Sequence, residues 1–202
     1  GLTGFKWIAK FIKDFPNQKF VGGGEESFGF MVGDAVRDKD AVAAILLVSE
    51  IAAQAKASGS SLYQELLNLY IDFGFYKEHL ISITKKGIEG ANEIKQMMID
   101  LRENPLKEIN GQRVICIEDY QSSKGKDFMN NEEFEIHIPK SNVLIYYLED
   151  GSKICARPSG TEPKIKFYFS VNGILDTIDN AESVEKELDN KIAGIISAMK
   201  LN

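Results

Sequence analysis

The segment ICARPSGTEPKIKFYF, residues 154–169, reads as β-strand on either side of a turn. KICAR leads in and KIKFYFSV leads out, with a turn of Pro158, Ser159, Gly160, Thr161 and Pro163 set between them. Its composition suits an oxyanion. Arg157 offers a planar donor fork that matches a phosphate edge. Ser159 and Thr161 add hydroxyls, and Gly160 allows close backbone approach. Successive N–H groups in such a turn form a concave anion nest. Lys164 and Lys166 follow on one strand face. A solvated hairpin tip with incidental charge fits the same residues, because Ser, Gly and Pro are ordinary turn residues.

Outward from this turn the pattern stays β-rich. NVLIYYL joins KICAR through Asp150-Gly151, a tight hairpin signal. RVICIEDY and FEIHI read as further strands, and residues 121–132 as a polar, mobile loop. Two helices accompany them. One covers residues 90–102, with Ile94, Met97, Met98 and Leu101 on one face. The other ends the chain with a stripe of Val184, Leu188, Ile192, Ile195 and Met199. ISITK is a strand, and FGFYKEHL before it is the expected boundary between domains. Residues 79–202 therefore read as an α+β domain with helices packed on a mainly antiparallel sheet.

Residues 1–78 read differently, as part of an α/β unit. Residues 5–13 are helical, KFVGGG is a short strand, and Asp38 or Asp40 caps a long apolar helix that Ser58 and Gly59 end. That helix is apolar almost all round, which predicts burial on several sides. Ser61 and Gln64 can form a capping box for the next helix. One strand and three helices cannot close a sheet core, and the chain opens GLTGFKWIAKFI without a methionine. Both features read as a piece cut from a longer protein.

The 202 residues carry a formal charge of −6, which argues against general affinity for nucleic acid or an anionic membrane. Basic residues concentrate locally, with Lys153, Arg157, Lys164 and Lys166 against Glu162 alone. That pattern suits a small anion. Cys116 and Cys155 lie in apolar strands with no CxxC spacing, and His79 and His137 are isolated, so no metal site is expected. The most apolar segment, AVAAILLVSEIAAQA, contains Glu50 and is too short for a bilayer. A cytoplasmic location is the expectation.

Two further stretches bear on binding. In VGGGEESFGF, an extended backbone points Glu25 and Ser27 to one side and Glu26 to the other. A carboxylate with a hydroxyl suits adjacent sugar hydroxyls. A glycosidase pair is the rival, but its carboxylates must face one another across a bond, and strand neighbours diverge. A glycine-rich connection with surface acids also fits. In RDKDAV, helix capping accounts for the acids more simply than a cation site, while Lys39 can reach a phosphate or sugar oxygen.

In this order, TGFKWI, GGGEESFGF, RDKDAV and RPSGTEPKIKFY resemble the α-D-phosphohexomutase superfamily, phosphoglucomutases and phosphomannomutases above all. The resemblance runs from residue 3 to residue 168. It implies the later part of that family's third domain, α/β, followed by its whole fourth domain, α+β. By the same resemblance Thr3, Gly4, Lys6, Glu25, Ser27 and Lys39 contact the sugar, and Arg157, Ser159, Gly160, Thr161 and Lys166 hold the phosphate that is not transferred. The family interconverts sugar 1- and 6-phosphates through a phosphoserine and a bisphosphate intermediate, with Mg2+ as cofactor and glucose 1,6-bisphosphate as activator. Neither its Ser-His-Asn-Pro type loop nor its Asp-x-Asp-x-Asp magnesium loop occurs here, so no catalytic or metal residue is expected in this chain. The chain would bind hexose phosphates without turning them over. Phosphopentomutase-type relatives share much of the SGTEPKIK loop, and a self-contained phosphosugar-binding module is the alternative.

Overall fold

A computed structural model describes residues 4–25 and 29–201. They form two units, Gly1–Leu66 and Leu67–Asn202.

In the first unit the short elements follow local chemistry. Helix α1 (Lys6–Asp14) turns its apolar side onto Phe5, Met31 and Phe20, and buries Ile12. KFVGGG forms a strand only at its glycine end, β1 (Gly22–Gly24), which pairs antiparallel with β2 (Phe30–Val32). Helix α2 (Ala41–Ala57) starts at Asp40, whose side chain accepts from the Val42 and Ala43 N–H groups at 3.0 and 3.3 Å. Asp40 is the cap, and Asp38 instead accepts from the Lys39 N–H at 2.8 Å. Ser58 and Gly59, with φ +76°, end the helix. At the start of α3 (Leu62–Phe73), Ser61 Oγ accepts from the Gln64 N–H at 3.2 Å, one half of the expected box.

The expected burial of α2 is not found. Ala55 is its one buried residue, while Val42, Ile45 and Leu46 are 79%, 68% and 61% exposed. An all-apolar helix needs a sheet layer to cover it. Among the described residues of this unit the only strands are β1 and β2, too short to do so. No single helix is long and apolar enough to cross a membrane among the described residues.

The second unit is organised by alternation. Its sheet takes in β3 (Phe75–Thr84), β5 (Gln112–Asp119), β6 (Lys124–Asp127), β7 (Glu132–Glu135), β8 (Leu144–Leu148), β9 (Lys153–Pro158) and β10 (Lys164–Gly173), with β4 (Glu108–Ile109) paired to β5. The order is β3-β10-β9-β8-β5-β6-β7, antiparallel throughout. Along β10, Ile165, Phe167, Phe169 and Val171 are fully buried, and the residues between them look to the other face. The buried face is covered by α4 (Gly87–Glu103) and α5 (Ala181–Ala198), through Ile94, Met98, Leu188, Ile192 and Ile195. Tyr146 crosses this core and donates its hydroxyl to the Leu101 carbonyl at 2.6 Å. The β8–β9 turn is the expected tight one, with Gly151 at φ +83° and the Ser152 N–H donating to Asp150 Oδ1 at 2.9 Å.

Three expectations need correction. The units divide inside α3 and not at residue 78. Leu67, Tyr70 and Ile71 pack into the larger core, and Phe75 already pairs with Gly173. Residues 121–132 are not a plain loop, since Lys124–Asp127 pairs with Glu132–Glu135 as a hairpin. FEIHI is strand only as far as Glu135, where the pairing with β6 ends at Lys124. Polar strands of this kind escape a hydrophobic periodicity because they leave little of either face buried.

Candidate functional site

The glycine-rich loop of the first unit is held by a charge pair. Glu25 donates its N–H to the Gly29 carbonyl at 2.9 Å, and its carboxylate folds back over Gly29 to lie 3.4 Å from Lys39 Nζ. A Cβ at Gly29 would sit 2.5 Å from Glu25 Oε1, so a larger residue there would push the Glu25 carboxylate from this position. Lys39 Nζ also lies 5.5 Å from the centre of the Phe5 ring. The pair brings an acceptor and a donor to one place, the combination that neighbouring sugar hydroxyls need. Gly4, with φ +106°, precedes Phe5, and Lys6 Nζ lies 5.4 Å from the centre of the Trp7 ring. Thr3 and Ser27 lie outside the described residues.

In the second unit the turn after β9 is tied down at three points. The Ser159 N–H donates to the Lys164 carbonyl at 2.7 Å, the Lys164 N–H to the Glu162 carbonyl at 2.7 Å, and the Lys85 N–H to the Pro163 carbonyl at 2.9 Å. Ser159 Oγ accepts from the Thr161 and Glu162 N–H groups at 3.4 and 3.3 Å. These long bonds fix the shape of the turn from within, leaving the Ser159 hydroxyl proton and the exposed Gly160 backbone to a ligand. Arg157 stands directly opposite Lys166 in the β9–β10 register. Directly opposed residues share a sheet face with Cβ atoms roughly 5 Å apart, so both basic side chains leave the sheet on the face away from the helices. Neither is paired with a carboxylate among the described residues.

The same face carries groups that sequence reading did not single out. Glu118 accepts from the Tyr120 and Tyr147 hydroxyls at 2.8 and 2.9 Å. Burial pushes the Tyr120 phenol up to about 12, and burial likewise raises Tyr147. Burial also lifts Cys116 to about 11 and raises Cys155, so both stay thiols at neutral pH and are poor nucleophiles. On the helix side of the turn lies a groove of about 480 Å³ lined by Lys95, Arg102, Gln121 and Asn142 as well as Ser159–Pro163. Its floor is fixed by Arg102, which donates to Asp119 at 3.0 Å and to Asn142 at 2.7 Å. These residues lie on α4, β5 and two loops, and only the fold assembles them. Among the described residues, no three His, Cys, Asp or Glu side chains converge to hold a metal ion.

Residues 2–70 match the family described as phosphoglucomutase/phosphomannomutase, alpha/beta/alpha domain III. Relatives named phosphoglucomutase occur in Staphylococcus epidermidis (41% identical over 172 residues, 85% of this chain and 31% of the relative) and in Staphylococcus haemolyticus (37% over 194 residues, 96% and 34%). The chain thus spans about a third of the length of these relatives. Its fold is similar to that of the Paramecium exocytosis-sensitive phosphoprotein pp63/parafusin, a phosphoglucomutase in its open form, with a TM-score of 0.60 at 19% identity over 98% of this chain and 33% of that one.

Proposed function

We propose that this chain, which corresponds to the C-terminal part of an α-D-phosphohexomutase, supplies the sugar-holding and phosphate-holding loops of an enzyme that interconverts glucose 1-phosphate and glucose 6-phosphate. The observation that carries the reading is the juxtaposition of Arg157 and Lys166 beside a turn whose N–H groups are already gathered by Ser159. An arginine fork, a lysine charge and a pre-shaped turn together form a phosphate clamp that costs little ordering on binding. In this reading Gly160 and Thr161 complete the clamp. Glu25 and Ser27, with Thr3, Gly4, Lys6 and Lys39, hold the sugar.

The reaction makes one demand that such a chain can meet. The same loops must accept a sugar carrying phosphate at either end, and positioning with charge neutralisation supplies most of the catalysis in phosphoryl transfer. A charge clamp and a carboxylate–ammonium pair are tolerant enough to present either orientation. The 202 residues contain neither a Ser-His-Asn-Pro type loop for a phosphoserine nor an Asp-x-Asp-x-Asp loop for Mg2+. We therefore assign this chain binding without turnover. Glucose 1,6-bisphosphate as activator, the mannose phosphates as the alternative substrate pair and a cytoplasmic setting belong to the same proposal.

Titration of the chain with glucose 6-phosphate tests it. Arg157→Ala should weaken binding at least tenfold, as expected for loss of a bidentate charged pair at about 1.5–3 kcal/mol. Equal affinity in the variant, or mutase turnover by the isolated chain, would overturn the reading.

A further inference from the structure

We propose that Ser82 is a third donor of the anion site, extending the Arg157–Lys166 clamp across a third strand to the edge of the sheet. The inference rests on the clamp reading given above. Its warrant is the register. Lys166 lies opposite Arg157 on β9 and opposite Ser82 on β3, so the three side chains stand in one row on one face. The next row of that face, nearer the turn, sets Lys164 opposite Thr84. Ser82 and Thr84 are exposed. Arg157, Lys164 and Lys166 are without a carboxylate partner among the described residues.

The electrostatics of this row are one-sided. The nearest acid of β3 on the same face is Glu78, four residues from Ser82 along the strand, which is about 13 Å of extended chain. Glu162 is the one acid of the turn itself. A phosphate dianion has three terminal oxygens. The Arg157 fork can engage two, and the lysine ammonium is a compact charge that fixes no direction. A hydroxyl beside it supplies the directional donor for the third oxygen.

Ser82 is also delivered by a rigid element. β3 pairs with β10 over its whole length, and the Lys85 N–H donates to the Pro163 carbonyl at 2.9 Å, which ties this strand to the turn. β3 is the outermost strand, so its hydroxyl is reached from the open side. No residue has to be ordered for Ser82 to contribute.

The test is calorimetric titration of the chain with inorganic phosphate and with glucose 6-phosphate, for the wild type, Ser82→Ala, Ser82→Thr, Ser170→Ala and Arg157→Ala. Ser82→Ala should weaken both ligands about tenfold or more, the loss of one hydrogen bond to a charged group. Ser82→Thr keeps the hydroxyl and should retain wild-type affinity. Ser170 stands on the same face opposite Glu78, away from the row, and its alanine variant should bind normally. Ser82→Ala should keep the salt dependence of binding, because no charge is lost, whereas Arg157→Ala should flatten it. Unchanged affinity in Ser82→Ala beside a loss in Arg157→Ala overturns the role of Ser82 and leaves the clamp intact. Undiminished binding in Arg157→Ala, or no binding of either ligand by the wild type, overturns the clamp and Ser82 with it. An equal loss in Ser82→Ala and Ser170→Ala marks a general disturbance of the sheet and also overturns the inference.

Discussion

α5 and α2 are almost equal in length, at 18 and 17 residues, yet they meet opposite surroundings. α5 carries its apolar residues as a stripe and buries Leu188, Ile192 and Ile195 against β10. α2 is apolar nearly all round and leaves Val42, Ile45 and Leu46 in the open. A stripe names both the helix and the face it will bury. A helix apolar on every side names only the helix, because its cover has to come from elsewhere. The two candidate loops follow the same division. The turn at residues 159–163 hangs between two central strands of a seven-strand path, while the glycine loop rests on two three-residue strands and a charge pair.

The largest effect should therefore come from the centre of the covered sheet. Phe167 is fully buried in the larger core. Phe167→Ala should cost about 3–5 kcal/mol, from lost transfer energy and the cavity left behind. Denaturant unfolding of the larger unit measures it. A cost under about 1 kcal/mol would mean that this face is not the closed core described, and the contrast with α2 would collapse.

A smaller and pH-dependent effect is expected at the β8–β9 turn. Burial raises the Asp150 pKa, but bonds from Ser152 and from Lys191, whose Nζ lies 3.0 Å from Oδ2, outweigh it and leave the carboxyl lower than usual. A depressed carboxylate stabilises the fold above its unfolded pKa of about 3.9, and the contribution is lost as pH falls through the folded value. Asp150→Asn should thus lower stability at neutral pH, and the gap from wild type should close in acid. A gap that persists unchanged at pH 2 would assign the loss to turn geometry and not to charge.

These residues also mark what could be read from the sequence. Strands such as KICAR and KIKFYFSV, the Asp150-Gly151 turn and the α4 and α5 stripes were legible because one buried face imposes a period. The hairpin at Lys124–Asp127 and Glu132–Glu135 was not, since it is polar on both faces. The unit boundary was misread because FGFYKEHL looks like a break while Phe75 and Lys77 already belong to the sheet. In the proposed site, Arg157 and Lys166 stand out from local composition. Their opposition across β9 and β10, and the arrival of Ser82 from a strand some 80 residues earlier, depend on register, which no local pattern contains.

The smallest expected effect gives the sharpest test of the exposed helix. Ile45 is 68% exposed in the middle of α2. Isoleucine and serine have similar helix propensities, so Ile45→Ser changes little besides apolar surface. If that surface faces water in the folded chain, unfolding should shift by no more than about 0.5 kcal/mol, and self-association should fall because an apolar patch has been broken. If the substitution costs about 2 kcal/mol or more, the side chain is buried in solution. The cover would then come from another copy of the chain or from elsewhere in the fold, since the first unit's own sheet among the described residues is only the two-stranded β1–β2 pair. Sedimentation of wild type and variant separates the cases, because a cost that vanishes on dilution belongs to an interface and one that persists belongs to the fold.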